Sequence, residues 1–384
     1  MFEQKRFLMI PGPTPVPESC LIELAKHPLP HRSKEFSEIF IKCNEGLKNI
    51  AKTKEAVPFI YASSGTGVME ATLVNILSPK DKVIAIINGI FSKRWADMAE
   101  IFGAEVIRIE VKAGQAVDIS EVKNILEKHK DTKLLLATYS ETSTGVKTHI
   151  KDIAKLTKNT EIIFTVDAIT GLGAMPLYMD DWGVDIVLSG SQKGFMIPPG
   201  LGFLLASKKA INKSKDSKLP KYYWDWNLAL KALENDTTAF TPNVSLICSL
   251  YESLKLMQNE GIENIWKRHE LLKNLTRVSV KSMGLNLLVE DSNASSAITS
   301  ILPPKNIKVK DLRAKLKNTW KIIIADGQKE LQGKIFRMGH LGFVFERDIL
   351  TALSALALSL EDLNFKVNNS WQEAYKKVLN ENKK

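Results

Sequence analysis

Two ionisable residues stand where apolar runs of the chain give way to polar segments. Lys193 lies in a stretch of small and polar residues after the apolar run 186–188, and a Pro-Pro-Gly sequence follows soon after. Apolar surroundings lower the pKa of a lysine amine and make it a nucleophile near neutral pH, so Lys193 is a candidate for covalent chemistry. Asp167 follows the apolar run 162–166 and could act as an acid beside a ligand or equally cap a turn.

Two further segments carry glycines and hydroxyl groups at similar places. Residues 63–67 read Ser-Ser-Gly-Thr-Gly and open an apparent helix over 68–77. Glycines let a backbone approach an anion closely, and free N–H groups at a helix start favour phosphate, although such a turn alone is more often a tight connection. Residues 141–145, Glu-Thr-Ser-Thr-Gly, follow the apolar run 134–137.

The elements around these features predict a mostly parallel sheet. Continuous apolar runs are typical of strands buried on both faces, and they occur at 83–87, 134–137, 162–166, 186–188 and 203–206. Apolar residues at helical spacing lie between them, at 91–102, 119–128 and 150–158. Parallel sheets bind ligands beyond the carboxyl ends of their strands, so we expect all four features at one edge of an α/β sheet.

The pattern changes after Pro242 and predicts a second unit. Two long helices are expected over 244–260 and 262–283, followed by strands at 297–302, 320–324 and 335–338 and helices at 309–317 and 348–363. We therefore divide the chain into three parts. A proline-rich extended arm (1–20) should run over the surface or across a partner subunit, before a large domain (21–260) and a smaller C-terminal α+β domain (261–384).

Composition is that of a soluble two-domain protein. A chain of 384 residues exceeds the usual size of one hydrophobic core. The net charge of +10 comes from lysines spread along the chain, without a basic run interleaved with aromatics, so we expect no nucleic-acid partner. Three widely spaced cysteines favour neither a disulfide framework nor a metal site, and no segment approaches a membrane span. We therefore expect a cytoplasmic protein without metal or membrane contact.

Pyridoxal 5'-phosphate (PLP) chemistry explains why these residue types occur together. The cofactor needs a lysine that forms an imine with its aldehyde and then moves the substrate α-proton. It also needs an acid that keeps the pyridine nitrogen protonated, and a cup for its phosphate. Lys193, Asp167 and the segment 63–67 supply one of each.

Short motifs follow one another along nearly the whole chain. In order they are Pro11-Gly12-Pro13, His31-Arg32-Ser33, Ser64-Gly65-Thr66-Gly67, Glu141-Thr142-Ser143-Thr144-Gly145-Val146, Asp167-Ala168, Ser189-Gly190-Ser191-Gln192-Lys193, Pro198-Pro199-Gly200 and Arg337-Met338-Gly339. Together they resemble the class V aminotransferases, and within that family the alanine–glyoxylate and serine–pyruvate (or serine–glyoxylate) branch.

The resemblance implies PLP fold type I and a homodimer whose active sites are shared between subunits. It implies that Lys193 forms the Schiff base with PLP and that Asp167 pairs with the pyridine nitrogen. Arg337 would bind the substrate carboxylate, helped by the backbone of Gly12. The other implied cofactor contacts are Ser64, Gly65, Thr66, Gly67, Val68, Phe91 over the ring, Thr142 near the ring hydroxyl, Gln192, and Thr241 reaching the other subunit's phosphate.

The functional prediction is ping-pong transfer of an amino group from alanine or serine to a small 2-oxo acid such as glyoxylate or pyruvate. A phosphonate or phosphoserine aminotransferase stays open, although it would need extra cations around the substrate tail. A desulfurase-type lyase needs a reactive cysteine on a late loop, and no cysteine follows Cys248. A binding subunit without catalysis is disfavoured because Lys193 and Asp167 are both present.

Overall fold

The computed structural model describes residues 5–382. The strands are β1 (Phe7–Leu8), β2 (Val57–Ser63), β3 (Lys82–Ile87), β4 (Glu105–Glu110), β5 (Leu134–Thr138), β6 (Ser140–Glu141), β7 (Val146–Lys147), β8 (Ile163–Asp167), β9 (Ile186–Gly190), β10 (Gly200–Ala206), β11 (Asn286–Leu287), β12 (Ile298–Leu302), β13 (Ile322–Ile323), β14 (Ala325–Asp326) and β15 (Phe336–Gly339). The helices are α1 (Glu18–Leu24), α2 (Lys34–Ile50), α3 (Gly65–Ile76), α4 (Ile90–Ile101), α5 (Ile119–Lys128), α6 (Ile150–Thr157), α7 (Met179–Trp182), α8 (Lys208–Ser214), α9 (Trp226–Leu233), α10 (Val244–Glu260), α11 (Ile262–Ser282), α12 (Val309–Trp320), α13 (Glu346–Asp362) and α14 (Trp371–Glu381).

A seven-stranded sheet confirms the predicted α/β class. Its strand order is β2-β10-β9-β8-β5-β3-β4, and β10 runs antiparallel to both of its neighbours while the other pairs are parallel. Both faces are covered, because Ile84 and Ile86 of β3 belong to one hydrophobic core and Val83 and Ala85 to another. Burial on both faces is the reason that these strands are continuously apolar in sequence.

A smaller antiparallel sheet, β11-β12-β15-β14, lies in the C-terminal third and has its own hydrophobic core. Helix α10 packs on α1 and α2, whereas α11 packs on α13 and α14, and the change occurs at Gly261. This change of partners supports the proposed boundary between residues 260 and 261. In the described part of the chain no helix is both long and apolar enough to cross a membrane.

The N-terminal arm, expected to run over the surface or across a partner subunit, packs in part against its own chain. Phe7 and Leu8 pair with β13, and Met9 is fully buried in the core of the small sheet. Further on, Thr14 donates its backbone N–H to the Gln192 carbonyl at 3.1 Å. Helix α1 begins at Glu18, inside the proposed arm (1–20), and the arm's residues 1–4 lie outside the described part. Because the arm packs within its own chain, it gives no argument for a dimer.

Candidate active site

Neighbouring strands bring the predicted residues together at one edge of the large sheet. Asp167 is the last residue of β8, and Thr138 at the end of β5 lies beside it in register. Lys193 follows β9, the neighbour of β8 on the other side. Thr142 follows β6, just beyond β5. The carboxyl ends of parallel strands thus place an amine, a carboxyl group and a hydroxyl group around one site.

Lys193 reaches from this edge to the N-terminal arm. Its Nζ donates a hydrogen bond to the carbonyl oxygen of Pro11. Gly12 has φ +126°, and a Cβ placed on it would lie 2.6–2.8 Å from Nζ, Cδ and Cε of Lys193. Burial, aided by the positive charge of Arg337, lowers the pKa of Lys193 to about 8. The amine can therefore lose its proton close to neutral pH, as a nucleophile must.

Asp167 is buried in the centre of the site, with 4% of its surface exposed. Its Oδ1 accepts from the Ile169 N–H at 2.9 Å, and its Oδ2 accepts from Thr138 Oγ1 at 3.4 Å. Burial raises the pKa of Asp167 to about 7, and the nearby Glu141 adds to the shift. A cation placed against such a carboxyl group would restore its negative charge. A protonated pyridine nitrogen is a cation of this kind, so the residue fits the implied cofactor.

Arg337 lies in β15 of the smaller sheet, in the proposed small domain, and is buried. Its Nε donates to the Asp326 carbonyl at 2.8 Å, and its Nη1 donates to the Thr142 carbonyl at 2.7 Å. Within residues 5–382 its Nη2 has no hydrogen-bond partner. Burial lowers the pKa of Arg337 to about 10, which still leaves the guanidinium charged at neutral pH. Two carbonyl groups thus hold the Arg337 guanidinium in place, and its Nη2 group still has N–H donors for an anion.

At the start of α3, the implied cofactor contacts Gly65 and Thr66 have freer backbone N–H groups than the implied contacts Gly67 and Val68. Ser64 is the N-cap in an extended conformation, and no side chain caps this end. The N–H groups of Gly67 and Val68 donate to the Ser64 carbonyl at 3.1 and 3.4 Å, so they are already used by the helix. Those of Gly65 and Thr66 have no partner among the described residues. Gly65 and Thr66 are therefore better phosphate donors than Gly67 and Val68.

The side chain of Gln192 lies close to this helix start. Its buried Oε1 has no hydrogen-bond partner among the described residues. A Cβ placed on Gly190 would lie 3.3 Å from this oxygen and 3.8 Å from the Gly65 nitrogen, so the amide and the helix start flank the same glycine. A buried amide oxygen without a partner is costly, and turning the amide by 180° would present its NH₂ group instead. The N–H groups of Gly65 and Thr66, together with the NH₂ group of a turned Gln192 amide, would fit a phosphate group.

Phe91 and Thr142 lie at the site, whereas Thr241 does not join it within one chain. Phe91 is in the first turn of α4, and the Arg94 guanidinium lies 4.9 Å from its ring centroid. Thr142 Oγ1 and Thr170 Oγ1 are 2.7 Å apart. Thr241 is exposed in the segment between α9 and α10 and makes no hydrogen bond to the other site residues.

Sequence reasoning missed three groups that hold the site in shape. They are the Pro11 carbonyl, Thr138 and Thr170, which contact Lys193, Asp167 and Thr142 respectively. Only Thr138 had a signal, since it follows a predicted strand at the ligand edge. Among the described residues, no group of three or more His, Cys, Asp and Glu side chains could hold a metal ion.

Comparisons with known proteins agree with this geometry. The pattern of the family "Aminotransferase class-V" matches residues 23–341. A protein named "Soluble hydrogenase, small subunit" from Synechococcus sp. (strain PCC 6716) is 44% identical over 94% of this chain and 95% of its own length. An L-aspartate–glyoxylate aminotransferase from Paracoccus denitrificans is 33% identical over 94% of this chain and 92% of its own length. The crystal structure of an alanine–glyoxylate aminotransferase from Nostoc sp. is 29% identical, covers 94% of this chain and 96% of its own, and superposes with a TM-score of 0.90. The chain therefore belongs to the PLP-dependent class V aminotransferases.

Proposed function

We propose that this aminotransferase moves the amino group of alanine or serine to a small 2-oxo acid such as glyoxylate or pyruvate. The observation that carries the proposal is the single buried guanidinium of Arg337 near Lys193. Its positive charge also helps to lower the pKa of the Lys193 amine. One planar fork binds one carboxylate, which is all that alanine, serine, glyoxylate and pyruvate offer.

The names of the relatives support the acceptor more strongly than the donor. Glyoxylate occurs in the names of the Paracoccus enzyme and of the Nostoc structure, whereas the amino donors in those names differ. Aspartate carries a second carboxylate and would need a second cation beside Arg337. Arg313, a second cation whose charge acts on Arg337, is already paired with Asp326 at 3.3 Å, so the arrangement favours a monocarboxylate donor.

The buried groups would divide the chemistry between them. When bound, PLP supplies an electron-withdrawing ring that stabilises negative charge on the substrate α-carbon. We assign to Lys193 Nζ the covalent hold on the cofactor and the movement of the α-proton, because its amine exchanges a proton near neutral pH. Asp167 would hold the proton of the pyridine nitrogen. Arg337 would orient the carboxylate of donor and acceptor in turn, next to the backbone of Gly12.

The remaining cofactor contacts extend this assignment to a homodimer. Ser64, Gly65, Thr66 and Gln192 would bind the phosphate, with Phe91 over the ring and Thr142 beside its hydroxyl. Thr241 is too exposed and too separate to serve its own chain's site in this way. We propose that each subunit's Thr241 reaches the phosphate in the other subunit, so that the sites are shared.

An absorbance titration of the purified protein tests the proposal. We expect the visible band of the covalently held cofactor to disappear with alanine or serine and to return when glyoxylate or pyruvate is added. Aspartate serves as the dicarboxylate comparison and should convert the band at least ten times more slowly, because its second carboxylate would be taken out of water without a cation to pair with. Faster conversion by aspartate would contradict the proposed donor, and a band that no amino acid removes would contradict the transfer itself.

A further inference from the structure

Glu141 is a buried carboxylate to which the proposed function gives no role. It lies in β6 with 0% of its surface exposed. Its Oε1 accepts from the Ser143 N–H at 3.0 Å, from Ser143 Oγ at 2.6 Å and from the Phe91 N–H at 3.4 Å. Its Oε2 accepts from the Ser92 N–H at 3.0 Å and lies 3.0 Å from Ser92 Oγ. Full hydrogen bonding is what allows a charge to be buried here.

These bonds close the N-terminus of α4. The first N–H groups of a helix have no partner within it, and in α4 they belong to Ile90, Phe91 and Ser92. Glu141 accepts from the last two, and Ser143 Oγ accepts from Ile90 at 3.0 Å. A negative charge at this end also interacts favourably with the helix dipole. Helix α4 is thus capped by a residue 50 positions away, whereas α3 at the same edge is open.

The turn before α4 is shaped to accept the carboxylate. A Cβ placed on Gly89 would overlap Cγ of Glu141 and Oγ of Ser143. The segment that carries Thr142 therefore lies directly against the turn that begins α4. Since Phe91 is two residues beyond Gly89, this contact sets the distance between Phe91 and Thr142.

We propose that Glu141 is a positioning residue for the cofactor: its carboxylate fixes the first turn of α4 and thereby holds Phe91 over the PLP ring. The inference rests on the proposed place of Phe91 in the site. Glu141 does not touch the cofactor itself in this arrangement, because its oxygens are taken up by Ser143, Phe91 and Ser92. The charge of Glu141 also acts on Asp167 and Arg337, which places it electrostatically within the site.

Glu141→Gln tests the proposal with cofactor affinity as the readout. The variant keeps the shape but turns an NH₂ group toward N–H and O–H donors, so we expect PLP to bind roughly tenfold more weakly. The circular dichroism of the bound cofactor should change as well, because it depends on the orientation of the ring. Both are measured without an amino donor, so a failure of alanine or serine transfer would not affect them.

Asp185→Asn is the matched control. Asp185 is also buried and accepts from a backbone N–H (Phe164, 3.0 Å), from a serine hydroxyl (Ser207, 3.1 Å) and from Lys209 Nζ at 3.0 Å. It precedes β9, at the opposite edge of the same sheet. We expect this variant to lose stability and to keep the PLP affinity of the unmodified protein. Equal loss of affinity in both variants would show a general loss of structure and would overturn the proposal.

A double-variant cycle separates the two ways in which Glu141 could act. If it acts through Phe91, adding Glu141→Gln to Phe91→Leu should weaken PLP binding no further. Losses that add would mean that Glu141 acts on the cofactor through its charge, and the positioning role would be rejected. If Glu141→Gln does not fold, Ser143→Ala decides in its place. It removes one donor to the carboxylate and the acceptor of the Ile90 N–H, so weaker PLP binding supports the role and unchanged binding overturns it.

Discussion

Burial shifts the two central residues in opposite directions toward neutral pH. It disfavours charge on both, so the pKa of Lys193 falls to about 8 and that of Asp167 rises to about 7. Acid–base groups work best when their pKa lies near the working pH. The same burial leaves Arg337 charged, with a pKa of about 10. Burial thus makes Lys193 an amine that exchanges a proton near neutral pH and Asp167 a carboxyl group that is stabilised by a nearby cation. Arg337 remains positively charged at neutral pH.

At this scale, Arg337→Lys is expected to raise KM for amino donor and oxo acid alike. Lysine keeps the charge but cannot present two parallel N–H groups, and the loss should be roughly tenfold to a hundredfold in kcat/KM. Steady-state kinetics with both substrates measures it. The control is Arg108→Lys on β4, where Nη2 contacts Asp97 and Glu100 at 2.8 Å each, far from Lys193 along the sheet. Unchanged kinetics in the Arg337 variant would remove this residue from the site.

Among the elements, the N-terminal arm links β13 to Lys193. It pairs with β13 through Phe7 and Leu8, and its Pro11 carbonyl then accepts from Lys193 Nζ. Thr14 Oγ1 donates to the Lys193 carbonyl at 3.1 Å, so the arm holds both ends of that residue. The close approach is possible because the arm has a glycine at position 12.

Gly12→Ala is therefore expected to disturb the site more than its size suggests. Its φ of +126° disfavours any other residue, and the added Cβ would meet the Lys193 side chain at 2.6–2.8 Å. We expect a loss of about 1–3 kcal/mol in the free energy of unfolding, with weaker PLP binding. Chemical denaturation and a cofactor titration measure the two effects.

Gly333→Ala separates backbone strain from the overlap with Lys193. Gly333 also has a positive φ, +71°, but nothing lies within 4 Å of its Cβ position. Its alanine variant should lose stability and retain PLP affinity. If Gly12→Ala binds PLP as tightly as the Gly333 variant does, the arm has no part in shaping the site.

The sequence predicts elements with a local cause and misses those that depend on distant partners. The buried strands β3, β5, β8 and β9 are evident because burial on both faces makes them continuously apolar. Strand β4 was missed because it lies at the edge of the sheet, where both ends are exposed and its apolar run is interrupted by Arg108. The pairing of β1 with β13 joins residues at opposite ends of the chain, and no local pattern encodes it.

The same division holds for the candidate site. Lys193, Asp167 and Thr142 are predictable because each follows a recognisable strand at the ligand edge. The N–H groups of Gly67 and Val68 are used within α3 because that helix begins at Gly65. The first residue of a helix is hard to predict from sequence, so this detail could not be foreseen. The contact of Glu141 with Phe91 depends on how two loops meet in space.

At the scale of the whole molecule, the proposed site lies where the two proposed domains meet. The small domain contributes Arg337, whose Nη1 binds the Thr142 carbonyl of the large domain. The Ser295 N–H donates to the Gly145 carbonyl at 3.0 Å, and the two hydroxyls of Ser140 and Ser295 are 2.7 Å apart. The segment 141–145 is thus held by the small domain on one side and by α4 on the other. Loss of contact between the domains would separate the proposed carboxylate site from the proposed cofactor site.

Two buried histidines at this junction are neutral. His269 Nδ1 donates to the Ile265 carbonyl at 2.7 Å, and its Nε2 accepts from the Gly342 N–H at 2.9 Å. His340 Nδ1 donates to the Ser296 carbonyl at 2.9 Å, and its Nε2 lies 2.9 Å from Thr299 Oγ1. Burial lowers the pKa of each histidine to about 3. Protonation of His269 would also place two N–H groups against each other.

We therefore expect the stability of the protein without cofactor to fall as the pH drops from about 6.5, the value of an unperturbed histidine, toward 3. In that range the unfolded chain binds protons that the folded histidines do not, and each histidine lowers the free energy of unfolding by about 1.4 kcal/mol per pH unit. Asp167 opposes the effect of one histidine, because its raised pKa makes the folded state bind a proton between about pH 7 and 3.8.

Urea unfolding at pH 7, 6, 5 and 4 measures the net dependence of the free energy of unfolding on pH. His269→Gln keeps an acceptor for the Gly342 N–H and should remove the contribution of one histidine from the slope. An identical pH dependence in the protein and its His269 variant would mean that this imidazole does not hold the junction as a neutral acceptor.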